Sequence, residues 1–186
     1  YKPLTASCSG KDKPVYCEEI GEESKKLLLE LARETLERYY SGREIKIPNE
    51  IPGELREVSG CFVTLMKNGR LRGCIGHTVP QVPLYECVMR NALSAALYDR
   101  RFTPVTEDEL DDILIDISVL TPPEPLEFKS PKELLEKLIP GTHGVIIKYK
   151  GRQSTYLPSV WDQIPEKKEF LSHLCLKQGS PADCWM

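Results

Sequence analysis

Arg72 and Cys74, two residues apart, are the pair in this sequence with the clearest chemical content. A guanidinium beside a thiol favours the thiolate, the form of cysteine that attacks substrates and contacts ligands. Gly73 and Gly76 flank the sulfur and leave room for the chain to bend or for a ligand to come close. A nucleophilic thiol also needs a base, and His77, His143 and His173 are the candidates. His143 lies between glycines in Gly141-Thr142-His143-Gly144, at the entrance to an expected strand, and is the favoured base. Its alternative role is a loop histidine bonded to nearby backbone. His77 faces away from Cys74 if strand alternation persists, and His173 is expected on a helix surface. Arg101 joins Arg72 in a pocket for a carboxylate or phosphate, or else it caps the end of the preceding helix. Asp116 interrupts an apolar strand and is either an exposed alternation residue or an arginine partner. The plainer alternative for Cys74 itself is a small buried packing residue.

Cysteines stand at 8, 17, 61, 74, 87, 175 and 184. None of them forms a C-x-x-C pair, so the familiar zinc and thioredoxin spacings are absent and no metal or other cofactor is expected. A chain of 186 residues is long for a small disulfide-stapled secreted fold. Free thiols in a reducing cytoplasm are therefore expected. Cys61 and Cys74 are near neighbours on the expected hairpin, as a redox pair or merely close in space. The formal charge of -3 argues against a nucleic-acid binder, whose affinity rests on excess Lys and Arg. No apolar run reaches the roughly 20 residues that a membrane span requires.

Periodicity places the elements around these residues. Residues 1–20 are polar and turn-rich and are expected to form an arm. Residues 22–40 carry Leu27, Leu28, Leu31 and Leu36 at helical spacing, with Glu22 and Glu23 in the first turn and Gly42 as the stop. Residues 45–52 are expected to be an extended linker. The run CFVTLMKNGRLRGCIG predicts a hairpin about Asn68-Gly69. A helix follows over 83–100, a strand over 114–120, and a helix from Pro131 to Leu138. A second hairpin turns at Lys150-Gly151, and a last helix spans 167–177 with Gly179 as its cap. This order, without βαβ alternation, indicates an α+β fold with a largely antiparallel sheet. The two hairpin–helix blocks are either a diverged internal repeat or a chance likeness.

With a two-residue turn at 68–69, Val63 opposes Cys74 and Leu65 opposes Arg72. Alternation then puts Phe62, Thr64, Met66, Leu71 and Ile75 on an apolar face expected to pack on helices. Cys61, Val63, Leu65, Lys67, Arg70, Arg72 and Cys74 share the other face.

The runs GCFVTLMKNGRLRGCIG, DRRFTPV, ISVL, HGVII, LPSVW and FLSHLCLKQG, in this order, resemble the AMMECR domain family, whose signature Leu71-Arg72-Gly73-Cys74-Ile75-Gly76 is intact. The likeness runs from about residue 27 to 185. It implies two related β-hairpin/helix halves sharing one curved, largely antiparallel sheet flanked by helices. Residues 21–186 would form the domain, with lobes at 21–105 and 106–186. It also implies a cytoplasmic microbial protein, with Memo-type or radical-SAM proteins as partners. Ser159, Gln178 and Ser180 depart from the family's usual residues. Two functions stay open. One is an enzyme acting on a small anionic substrate, with Cys74 as nucleophile, His143 as base, and Arg72, Gly73, Gly76 and Arg101 as binding residues. The other is a non-catalytic binding module or adaptor for a protein, peptide or nucleotide.

Overall fold

The structure, a computed structural model, describes residues 20–121 and 123–186. The expected arm, apart from residue 20, lies outside the described residues, as do Cys8 and Cys17. The chain divides into two compact units, with the boundary after residue 122.

In the first unit, α1 (Glu22–Tyr40) buries Leu28, Leu31, Ala32, Thr35 and Leu36, a stripe at helical spacing. A short helix, α2 (Gly53–Arg56), follows the extended segment and buries Leu55. Strands β1 (Gly60–Lys67) and β2 (Arg70–His77) form the predicted hairpin. Asn68 and Gly69 both have positive φ, 51° and 74°, as the favoured two-residue turn requires. Helix α3 (Leu84–Leu97) comes next, then a 3-10 segment (Glu107–Asp112) and β3 (Ile113–Leu120). The sheet order is β2-β1-β3, antiparallel throughout. Pairing of β3 with β1 ties β3 to this unit, which runs through residue 122.

Helices α1 and α3 pack together, and α3 lies on one face of the hairpin. That face carries Cys61, Val63 and Leu65, all fully buried, with Ile113 and Ile117 of β3. Ile75, Ile115 and Val119 pack against the same core. The expectation for β1 is thus reversed. Phe62, Thr64 and Met66 lie on the opposite, half-buried face. Both faces of β1 are largely apolar, so alternation alone cannot say which one meets the helices.

The second unit holds α4 (Pro131–Lys137), the hairpin β4 (Val145–Tyr149) and β5 (Arg152–Tyr156), a 3-10 turn (Pro158–Asp162) and α5 (Lys167–Lys177). Ser130 caps α4 by accepting from the Glu133 amide. The core gathers Leu134, Leu138, Trp161, Phe170, Leu171 and Leu174, with the Trp161 and Phe170 rings stacked at 3.6 Å. The class is α+β as expected. The described strands form two separate sheets, however, because β4 and β5 pair only with each other.

Cys175 and Cys184 form a disulfide, which corrects the expectation of free thiols at these positions. Gly179, at φ +71°, reverses the chain after α5 and brings the two cysteines together. Among the described residues no helix is long and apolar enough to cross a membrane.

Candidate functional site

The hairpin register decides what surrounds Cys74. Near the turn Lys67 pairs with Arg70 and Met66 with Leu71, but further along Leu65 pairs with Gly73 and Thr64 with Cys74. A bulge between Leu65 and Met66 absorbs Arg72 as an extra residue. It shifts every later pair by one and corrects the predicted opposition of Val63 to Cys74. Because β1 also pairs with β3, Thr64 stands opposite Asp116. Cys74, Thr64 and Asp116 therefore form one row across the three strands, on the face away from the helices. The Thr64 hydroxyl lies 3.2 Å from the Cys74 sulfur, and Cys74 is half-buried. Beside this row, Leu71, Met66 and Leu114 make an apolar band, with Leu71 and Leu114 exposed.

Strand β2 is an edge strand, and the segment after α3 covers its outer side. The Cys74 amide donates to the Asp99 carboxylate at 2.8 Å, and the Cys74 carbonyl accepts from Arg101 Nη2 at 3.3 Å. Arg101 in turn holds Asp99 through Nε at 2.9 Å and Nη2 at 2.6 Å. An ion pair thus pins the backbone of Cys74 on both its polar groups. Asp99 is buried, its carboxyl held down to about 2, first by the Arg101 hydrogen bond and also by the Cys74 and Arg101 amides. The Arg101 guanidinium is raised, first by its hydrogen bond to Asp99, and the Cys74 side chain adds to the effect. Its side chain is 57% exposed.

Arg72 turns to a different partner. Its Nε and Nη2 donate to the two oxygens of Glu109 at 3.1 and 2.8 Å, a bidentate pair. Nη1 donates to the Thr103 carbonyl at 2.8 Å and Nη2 also to the Pro104 carbonyl at 3.2 Å. Glu109 further accepts from Lys67 and from the Thr106 amide, closing a capping box on the 3-10 segment. Its carboxyl is held down to about 2, first by Arg72. Arg72 therefore ties the bulge to the 103–109 segment.

Gly73 and Gly76 meet protein atoms where a side chain would begin. A Cβ on Gly73 would lie 2.2 Å from the Ala95 carbonyl oxygen of α3. One on Gly76 would lie 2.3 Å from both the Cys61 carbonyl oxygen and the Phe62 ring. His143 belongs to the second unit, where its Nδ1 accepts from the Ile139 amide at 3.2 Å and its carbonyl accepts from the Trp161 indole. His77 is exposed at the end of β2, and His173 is exposed on α5 beside Glu169. Among the described residues no group of three His, Cys, Asp or Glu could hold a metal ion. Cys61 faces the helices, not Cys74, and its sulfur meets that of Cys87 on α3.

Sequence reasoning missed Thr64, Asp99 and Glu109. Glu109 carried a signal: Thr106-x-x-Glu109 has the spacing of a capping box. Asp99 stood next to the arginines singled out, but nothing local marked the Cys74 amide as its partner.

The two lowered carboxyls set an acid limit. Their folded values of about 2 lie below the usual carboxylate range near 4, so ionisation favours the fold. That stabilisation is complete above about pH 5 and is lost as the pH falls through 2, on the order of 2 kcal/mol for each group. Urea unfolding at pH 7, 4 and 2.5 is expected to show a stability drop that falls mostly in the lower interval. Asp99→Asn should be less stable at pH 7 and flatten the profile; an unchanged profile counts against the assignment.

Residues 29–186 match the sequence model of the AMMECR1 family. A protein from Methanothermobacter thermautotrophicus is 39% identical, over 89% of this chain and 88% of its own. One from Methanocaldococcus jannaschii is 43% identical, over 83% of this chain and 78% of its own. The crystal structure of an uncharacterised protein from Pyrococcus horikoshii superposes with a TM-score of 0.82 at 39% identity, covering 88% of this chain and 83% of that one.

Proposed function

Since the chain belongs to the AMMECR1 family, we propose from the geometry at Cys74 that it is an enzyme working through this thiol on a small substrate that bears a charged or polarised oxygen. One observation carries the proposal. The Cys74 backbone is fixed at both its amide and its carbonyl by the Asp99–Arg101 pair while its sulfur meets a hydroxyl donor on the neighbouring strand. Pre-positioning of this kind is what a reacting group needs, because little ordering remains to be done in the transition state. The Thr64 hydroxyl donates to the sulfur, and the Arg101 guanidinium is held beside the same residue. Arg101, with its exposed head, is the cation within reach of a substrate oxygen that gains charge when the sulfur attacks. Asp116, opposite Thr64 on β3, is the carboxylate of the row. Arg101 replaces Arg72 as the guanidinium beside Cys74: both are paired with a carboxylate, but Arg101 reaches the Cys74 carbonyl whereas Arg72 turns to Glu109 and the Thr103 and Pro104 carbonyls.

Alkylation by iodoacetamide at pH 7 tests this. Cys74 is expected to react about tenfold faster than a free model thiol, and Arg101→Met should remove most of the advantage. Equal rates for Cys74 and the model thiol overturn the enzyme reading.

A second reading, a binding module for a protein or peptide, is supported by the apolar band of Leu71, Met66 and Leu114 beside the polar row. A partner that still binds Cys74→Ser but not Leu114→Asp would favour it.

A further inference from the structure

We infer that Cys61 and Cys87 form a reversible dithiol–disulfide couple that, when oxidised, staples β1 to α3. Their sulfurs lie 3.0 Å apart, a small movement from the roughly 2 Å of a disulfide bond. The pair is built into its surroundings. The Asn91 amide nitrogen lies 3.3 Å from each sulfur and donates to the Cys61 carbonyl at 3.1 Å. Asn91 is buried, and its Oδ1 has no hydrogen-bond partner. Side-chain amides are rarely buried half-satisfied for packing alone. Here the amide's donor end is shared between the two sulfurs and the Cys61 carbonyl.

The two thiols are not equivalent. Cys61 is fully buried and its thiol is pushed up, first by the hydrogen bond to Cys87 and then by burial. Cys87 retains 5% exposure and is lowered, first by the hydrogen bond from Cys61. Cys87 is thus the attacking sulfur and Cys61 the resolving one.

The oxidant is a small disulfide. The Cys87 thiolate attacks one of its sulfurs, its S–S bond breaks, and one thiolate leaves and takes a proton. Cys61 then loses its proton, attacks Cys87 in the mixed disulfide and expels the second thiol. The protein loses two electrons and two protons; the small disulfide becomes two thiols.

The bond would join the helix-facing side of the sheet to the helix that leads into Asp99 and Arg101. It therefore locks the element that positions Cys74, yet it does not depend on Cys74 being catalytic.

The full chain is incubated in graded mixtures of reduced and oxidised glutathione, alkylated in denaturant and mapped by proteolysis and mass spectrometry. The expected result is a linked peptide pair carrying Cys61 and Cys87, formed while the protein is folded. It should be reversed by dithiothreitol and absent from both Cys87→Ala and Cys61→Ala. Oxidation should raise the melting temperature by at least about 5 °C, as a cross-link of this span requires. Recovery of Cys61 and Cys87 as alkylated thiols at every ratio overturns the inference. So does a link from either to Cys74, or linkage only after unfolding. Unlike the Cys74 alkylation rate, this readout is unaffected if the enzyme reading fails.

Discussion

Gly73→Ala is expected to cost about 3 kcal/mol or more of stability in the first unit. The new methyl would sit 2.2 Å from the Ala95 carbonyl oxygen and 3.1 Å from its carbon. Both atoms belong to the backbone of α3, so no side chain can swing away. Either β2 or the helix must move, and each is tied: β2 through its ladder to β1, and α3 through the buried Val88, Ala92 and Ala96. Equilibrium unfolding in urea reads the effect. A cost below about 1 kcal/mol would mean that helix and strand slide past each other easily, which close packing of protein interiors does not allow. The same reasoning assigns Gly73 to the approach of helix and strand, not to a ligand.

Glu109→Ala is expected to cost about 3–4 kcal/mol, comparable to breaking a buried ion pair from one side. Arg72 and Glu109 each keep only 15% of their side-chain exposure. Removing the carboxylate leaves a guanidinium facing only the Thr103 and Pro104 carbonyls, leaves Lys67 with only its longer pair to Asp112 at 3.9 Å, and leaves the Thr106 amide without its acceptor. Replacing both partners together, as Arg72→Met with Glu109→Leu, should recover much of the loss, because no unpaired charge then remains. Urea midpoints for the two variants and the parent decide it. A single substitution costing under 1 kcal/mol would class the contact with exposed surface pairs, and the Arg72 clamp would fall with it.

The local elements were legible. The leucine spacing of α1, the Asn68-Gly69 and Lys150-Gly151 turns, the proline start of α4 and the Gly179 stop of α5 depend on a few neighbouring residues each. Backbone preference acts over that range. The observed bounds of α1 and α5 coincide with those expected. The short helix α2 and the two 3-10 segments were not seen, since elements of four to six residues barely develop a period.

The candidate site was legible only in part. Cys74 was found, but its surroundings were not. The bulge at Arg72 has no spacing of its own to betray it, and by shifting the ladder one residue it put Thr64, not Val63, opposite the sulfur. Asp99 reaches Cys74 across 25 residues and Glu109 reaches Arg72 across 37. Neither pairing can be read from local pattern, and with them the cation beside the thiol changed from Arg72 to Arg101.

By itself the sequence determined the α+β class, the kind and limits of most helices and strands, and the hairpin that carries the thiol. All of these follow from short-range periodicity and turn chemistry. Only the tertiary structure decided which face of β1 meets the helices, that Cys175 joins Cys184, and which carboxylate each arginine holds. Those outcomes depend on groups far apart in the chain. Their energies arise once packing has excluded water and brought the charges together.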